Sequence, residues 1–336
     1  MKVKNNIEWL RLVFAIQVMV IHSFHHIKDE NIALMSSFPG VPAFFFISGF
    51  LIYASFKKSS NLKKYFLNRA LRLLPGLIFV TFAAILLTIY AKGIGFFFEN
   101  IQNYVIWFLS QITLGQAYNA QIFRDVGVGV INGSLWTITV EILFYISVPI
   151  IIFFERYNRH TVLILMCLSF LLYFISPVFL SFEILLGKTV FDFLKLTPII
   201  WGWMFLSGIM CFKYYDYIYK HVQLLKWLSV ILLFLIIYDA NGILLKHAGN
   251  YLGLFYYIAY IGVIFYLAFG LKYVPLKFDI SYGVYIWHMV IINFLLVVEL
   301  PSVLWTVVLT FLLSFISWYC VEKPSLKLKH YSIRQK

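Results

Sequence analysis

Ten runs of about twenty mostly apolar residues dominate this chain, at 7–26, 40–56, 75–92, 134–154, 161–180, 196–213, 225–240, 250–270, 279–299 and 302–321. Coiled as an α-helix, a run of that length spans the hydrocarbon core of a bilayer. The 336 residues are 62% hydrophobic and 12% charged, against roughly half apolar and a quarter charged in soluble domains. A water-soluble fold has no interior large enough for so much apolar surface. A transmembrane β-barrel would show short alternating segments instead of long apolar runs. The expected fold class is an all-α polytopic membrane protein of about ten transmembrane helices. The first run carries Glu8, Arg11 and His22 and is followed by many further spans, which predicts an uncleaved first helix. The segment 99–116 contains Glu99, Gln102, Asn103 and Gln111 and reads as interfacial or re-entrant.

The formal charge is +13, with 27 Lys and Arg against 14 Asp and Glu. These basic residues sit in short loops between apolar runs, so they report membrane topology and not nucleic-acid binding. With the N-terminus inside, the inside loops hold 20 of the 27. The outside loops hold 6, namely Lys28, Lys92, Arg124, Lys188, Lys195 and Lys246. That asymmetry predicts both termini in the cytoplasm, in a bacterial inner membrane. Crossing the membrane once more at 99–116 would turn the later basic loops outward. A single transmembrane domain over residues 1–336 follows, with no soluble domain and membrane lipid as its surroundings. Cys167, Cys211 and Cys320 are scattered without a CxxC, so no disulfide framework or metal site is expected. The sequence carries no sign of an oligomeric state.

Ionisable groups inside a membrane are costly and mark candidate functional sites. Arg11 and His22 lie eleven positions apart in the first run, which places both on one helix face about 16 Å apart along the axis. The plainer alternative is a snorkelling Arg and a His near the outer surface, with His25 and His26 as loop residues at the helix end. The fourth run opens Asn132-Gly133-Ser134-Leu135-Trp136-Thr137 and reaches Glu141 at a depth near that of His22. A carboxylate beside an imidazole orients it and raises its basicity; a Glu satisfied by a neighbouring helix is the alternative. Ser134 reads as a helix N-cap. Arg69 and Arg72, three apart in the basic loop 57–74, suit a phosphate or pyrophosphate, or else anchor the loop at anionic lipid. Tyr282, Tyr285 and His288 form a polar stripe in the ninth run, as substrate contacts or as buried structural groups. Ser48 and Gly49 permit close helix approach in the second.

Together these segments resemble the integral-membrane acyltransferase-3 family, bacterial O-acetyltransferases of surface glycans. Arg11 and His22 are similar to its R-x10-H first helix. The stretch Val41-Pro42-Ala43-Phe44-Phe45-Phe46-Ile47-Ser48-Gly49-Phe50-Leu51 resembles its second. Arg69-Ala70-Leu71-Arg72 before Pro75 resembles its R-x-x-R stretch, and Gly133-Ser134-Leu135-Trp136-Thr137 with Glu141 its GSLWT segment. Ser281-Tyr282 through His288 resembles its SYxxYLxH helix, and Val321-Glu322-Lys323-Pro324 the usual end of its last span. Glu8-Trp9 and Thr139 depart from the family's Asp-Gly and Pro, while the ionisable groups remain.

The resemblance implies transfer of an acyl group, usually acetyl, from acyl-CoA to a sugar hydroxyl. It implies His22 and Glu141 as catalytic residues and Arg11, Arg69 and Arg72 as donor-binding residues. Ser134, Trp136, Tyr282, Tyr285 and His288 become substrate-contacting or structural residues. Acetyl-CoA or another acyl-CoA is a co-substrate, the second partner is a sugar or glycolipid acceptor, and no permanently bound cofactor or metal is expected. Direct attack by the acceptor and an acetyl-histidine intermediate both fit. The SGNH hydrolase-like domain of some relatives is not expected here. The competing readings are a transporter or flippase for lipid-linked glycans, and a structural subunit of an export complex.

Overall fold

The computed structural model describes residues 4–59, 61–116, 118–174, 193–237 and 247–334. The ends of two expected spans, 175–180 and 238–240, lie outside the described residues, as do Lys188 and Lys246. The first half of the chain forms α1 (Ile7–Ser23), α2 (Ala33–Ser36), α3 (Gly40–Lys58), α4 (Leu62–Lys92), α5 (Ile94–Glu99), α6 (Ile101–Leu114) and α7 (Trp136–Glu155). The second half forms α8 (Thr161–Phe174), α9 (Pro198–Lys213), α10 (Tyr215–Lys220), α11 (Leu228–Ile237), α12 (Leu254–Phe265), α13 (Ser281–Val297), α14 (Val303–Ser317) and α15 (Lys323–Arg334). Among the described residues the only strands are a two-residue antiparallel pair, His247–Ala248 with Tyr251–Leu252.

Among the described residues, six helical stretches are long and apolar enough to cross a membrane: Ile7–Lys28, Leu34–Lys58, Leu62–Lys92, Gly133–Glu155, Phe193–Lys213 and Val303–Leu328. Four shorter apolar helices accompany them, Thr161–Phe174, Val222–Ile237, Leu254–Gly270 and Ser281–Val297. Each of the ten apolar runs falls on one of these stretches. The protein is an all-α membrane protein.

Two boundaries differ from the sequence reading. The basic stretch read as a loop before Pro75 is instead the first part of α4, which starts at Leu62 behind an Asn61 cap whose side chain accepts from the Lys63 N–H. Its Leu, Lys, Arg and Ala residues are good helix formers, and Pro75 lies inside the helix. At 31 residues α4 is about 46 Å long, longer than a hydrocarbon core of about 30 Å. The tenth run also continues. After α14 a π-helical stretch, Trp318–Glu322, leads into the basic α15, and the Pro324 that looked like a stop sits in that helix's first turn, where proline is tolerated. Segment 99–116 forms α6, which packs on α4 and buries Tyr104, Trp107 and Gln111 while Val105, Ile106 and Leu109 stay exposed.

The chain divides into two compact units. The first gathers Met1–Phe14, Ala33–Ser60 and Leu143–Lys277. Its centre is the crossing of α3 and α9. A Cβ on Gly49 would stand 1.8 Å from the Phe205 carbonyl oxygen, and one on Gly208 would stand 2.0 Å from that of Phe46. Backbone therefore meets backbone, as the small residues of the second run foretold. Phe144 and Phe205 stack at 4.0 Å beside this crossing. Ser169 of α8 donates to the Ile199 carbonyl and accepts from the Trp203 N–H. At the helix ends, Glu155 accepts from the Tyr53 hydroxyl and from Lys213 Nζ.

The second unit gathers Ala15–Ile32, Asn61–Ile142 and Phe278–Lys336. Its axis is α13, packed against α14 and α4. Thr306, Thr310, Ser314 and Ser317 give α14 a buried face of small residues, and Gly283 of α13 lies against Ser314, where a Cβ would come within 3.0 Å of its Cα. This is close helix packing through small side chains.

Gly49→Ala and Gly208→Ala should each cost at least the upper end of the roughly 1–3 kcal/mol typical of overpacking, because the atoms in the way are backbone. Gly95→Ala, whose Cβ meets nothing within 4 Å, serves as the control. Thermal unfolding and gel filtration in detergent check this: the first two variants should lose folded protein and Gly95→Ala should not.

Candidate active site

The site is built on α13. Fourteen of its 17 residues are buried, as expected for a helix apolar on every side. A polar group on such a helix costs free energy unless it finds its partner inside the protein, and on α13 Trp287 Nε1 is left without one. At successive steps of three residues, the polar side chains of α13 reach three different segments. Tyr282 donates its hydroxyl to the Leu73 carbonyl of α4, 2.9 Å away. The Tyr285 hydroxyl lies 2.7 Å from Thr137 Oγ1 and donates to the Ser134 carbonyl at 3.2 Å. His288 Nε2 lies 2.9 Å from His22 Nδ1 on α1, with the two rings 5.1 Å apart. His288 is fully buried and its Nδ1 sits 3.2 Å from the Val284 carbonyl oxygen. His22 is half-buried.

This pairing alters the sequence reading of His22. Glu141 was its expected orienting partner, whereas the structure places His288 at Nδ1. Depth along a helix is readable from residue spacing, but the direction in which a neighbouring helix faces is not. Glu141 is half-buried on α7, in the neighbourhood of the Tyr65 and Tyr285 hydroxyls. His25 and His26, read as loop residues, belong to a π-helical turn, Phe24–Lys28, that continues α1. The His26 ring stands 5.9 Å from that of His22 and 4.8 Å from that of His25.

The segment ahead of α7 is tied to α13. Asn132 Nδ2 donates to the Ile286 carbonyl at 2.9 Å. Ser134, read as the helix cap, lies instead inside a 3-10 turn, Gly133–Leu135. Its hydroxyl contacts Asn132 Oδ1 at 2.9 Å and the Tyr285 carbonyl at 3.4 Å. It ties the segment to α13 instead of capping α7, because the 3-10 turn intervenes and α7 starts at Trp136, one residue later than a cap at Ser134 implies. Trp136 is half-buried at the first position of α7. Thr139, which stands where the family has proline, gives its hydroxyl to the Leu114 carbonyl at the end of α6.

Two residues of this site escaped the sequence reading. Asn293 of α13 is fully buried. Its Nδ2 donates to the carbonyls of Val130, Ile131 and Met289, and its Oδ1 accepts from the Val128 N–H. It holds the segment that leads to Asn132, and Gly127 makes room for it: a Cβ there would stand 2.0 Å from Asn293 Oδ1. The available signal was a lone amide inside the apolar Ile291-Ile292-Asn293-Phe294. The second is Asp279, just ahead of α13. Its Oδ2 pairs with Arg72 Nη2 at 2.8 Å, and its Oδ1 accepts from Ser281 Oγ at 2.5 Å. A carboxylate two residues before an apolar helix was the signal. Arg69 and Arg72 are both half-buried on α4.

Of the ten residues singled out from the sequence, nine fall in the second unit; Arg11, on the N-terminal half of α1, falls in the first. Among the described residues no group of three His, Cys, Asp or Glu side chains is placed to hold a metal ion.

Residues 4–322 match the family described as "Acyltransferase domain". Nodulation protein 10 of Rhizobium leguminosarum bv. viciae is 28% identical over 353 aligned residues, covering 97% of this chain and 94% of that protein. The O-acetyl transferase of Shigella phage Sf6 is 28% identical over 338 aligned residues, covering 95% of each. No solved structure matches.

Asn293→Leu removes the partner of three loop backbone groups, each costing about 1–3 kcal/mol when left buried and unpaired. We expect a lower Tm in detergent, by an amount set by at least one such group, and faster proteolysis within residues 118–131. An unchanged cleavage pattern would mean that the segment is held by other contacts.

Proposed function

The chain belongs to the acyltransferase-3 family, and from that premise we propose that it is a membrane O-acyltransferase. It moves an acetyl or similar short acyl group from acyl-CoA to a hydroxyl of a cell-surface polysaccharide or its lipid-linked precursor. The observation that carries this reading is the grouping of His22, Glu141, Arg69 and Arg72 in one compact unit of a chain matched to the family over residues 4–322. The name of the Sf6 relative supports acetyl as the group and oxygen as its destination.

In this reading His22 is the general base. Its ring takes the proton of the acceptor hydroxyl as that oxygen attacks the thioester carbonyl. The carbon–sulfur bond breaks, and the departing thiolate takes the proton from His22 and leaves as CoA. Arg69 and Arg72 hold donor phosphates through forked, charge-assisted hydrogen bonds, with Asp279 setting the direction of the Arg72 guanidinium. Arg11 is assigned to the donor on the family resemblance. Glu141 is the site's carboxylate, in the neighbourhood of the Tyr65 and Tyr285 hydroxyls. Ten membrane crossings, both termini in the cytoplasm of a bacterial inner membrane and an interfacial α6 complete the proposal, supported by the 20-to-6 division of basic residues.

Acetyl-CoA binding to detergent-purified protein tests the donor. Saturable binding is expected, weakened at least tenfold in Arg69→Ala/Arg72→Ala, since each charged hydrogen bond contributes about 1.5–3 kcal/mol. A folded wild type that binds no acetyl-CoA would overturn the donor assignment and favour a transporter. His22→Ala should bind acetyl-CoA normally and transfer acetyl on the order of 100-fold more slowly or worse.

A further inference from the structure

His288 has no part in the mechanism above, yet it is the side chain that touches His22 most directly. It is fully buried, whereas His22 is half-buried. The two rings therefore differ in access, and His22 is the one a substrate can approach.

The hydrogen-bond chain has a direction. The Val284 carbonyl oxygen can only accept, so His288 Nδ1, 3.2 Å away, carries a proton. A neutral imidazole protonated at Nδ1 has a lone pair at Nε2. That nitrogen lies 2.9 Å from His22 Nδ1. It can only accept there, so His22 Nδ1 must donate, and the lone pair of His22 is then confined to Nε2. We infer that His288 is a positioning residue that fixes His22 in the Nδ1-protonated tautomer, leaving Nε2 as the basic atom. The arrangement Val284 carbonyl, His288, His22 does for this base what a carboxylate does in a hydrolase triad, which holds an imidazole in one tautomer and one orientation. Here the holding group is a neutral ring anchored on its own helix, one turn back. The same bond survives when His22 is protonated, because the imidazolium still donates from Nδ1.

Rotation of α1 or α13 by one residue, about 100°, would break this line. The close packing of Gly283 on Ser314 and the Tyr282 and Tyr285 hydrogen bonds oppose that rotation in α13. His288 thus acts through geometry that its own helix supplies.

The inference rests on His22 being the base of the proposed transfer, and the test separates the two. Radiolabelled acetyl-CoA is supplied to membranes of the producing cells, which hold the natural acceptor, and label entering glycan is followed for the wild type, His288→Ala, His288→Gln, His22→Ala and His22→Ala/His288→Ala. His288→Ala should lower kcat on the order of 100-fold, within the range of a lost general base, with the KM for acetyl-CoA within about twofold. His288→Gln, whose amide oxygen can still accept from Nδ1, should recover most of that loss. The double variant should be no slower than His22→Ala. Wild-type kcat in His288→Ala beside an inactive His22→Ala would overturn the positioning role and leave the base intact. Equal losses in His288→Ala and His288→Gln would also overturn it. An active His22→Ala would overturn both assignments, and no labelling by the wild type would overturn the proposed reaction. Should His288→Ala fail to fold, nitrogen-15 NMR of histidine-labelled wild type decides, with the His22 signal identified by its absence from His22→Ala. A proton on Nδ1 of His22 supports the inference and a proton on Nε2 alone overturns it.

Discussion

A polar group on a helix sealed from water and lipid must pair within the protein or cost several kcal/mol. In α13 that requirement organises the whole second unit. Tyr282, Tyr285, His288 and Asn293 are each buried on this helix, and each is satisfied by a different stretch of chain: α4, the start of α7, α1 and the segment 128–131. The bonds are directional, so they set helix rotation as well as contact. Apolar packing alone would leave rotation nearly free, since lipid-facing and core-facing residues here are chemically alike.

Close packing makes those bonds reachable. Where Gly283 meets Ser314 and Gly76 meets the Tyr282 ring, helices approach to a distance that larger side chains would forbid. The first unit uses the same device at Gly49 and Gly208. In a membrane, association draws little on the hydrophobic effect, so dispersion between closely packed backbones and short hydrogen bonds carries it. The glycines and small hydroxyl residues are therefore as much a part of the site's construction as the ionisable groups.

For the chemistry, a base in such surroundings is defined by its partners more than by its identity. A histidine has two ring nitrogens, and the atom able to take a proton is decided by what the other one meets. Asp279 plays a comparable part for Arg72, fixing one edge of a planar fork whose value lies in its direction. Substrate groups would meet side chains already aimed, which lessens the reorganisation each turnover requires.

Much of this was legible in the sequence. Ten apolar runs dictated apolar helices, because such runs have few other stable conformations in a membrane, and among the described residues six of the helical stretches are long enough to cross one. Spacing placed Tyr282, Tyr285 and His288 three residues apart, and motif order indicated the family. The basic stretch before Pro75 was misjudged because proline is at home both at a helix start and in a kink, and only the surrounding packing chooses. Ser134 looked like a cap for the same local reason. Asn293 and Asp279 went unnoticed because their roles depend on backbone groups more than 160 residues away in sequence for Asn293, and on an arginine 207 residues away for Asp279. Pairing His22 with His288 instead of Glu141 was likewise decided by tertiary structure. Periodicity along one helix determines which residues share a face, but which face meets which neighbour is set by packing among all the helices together.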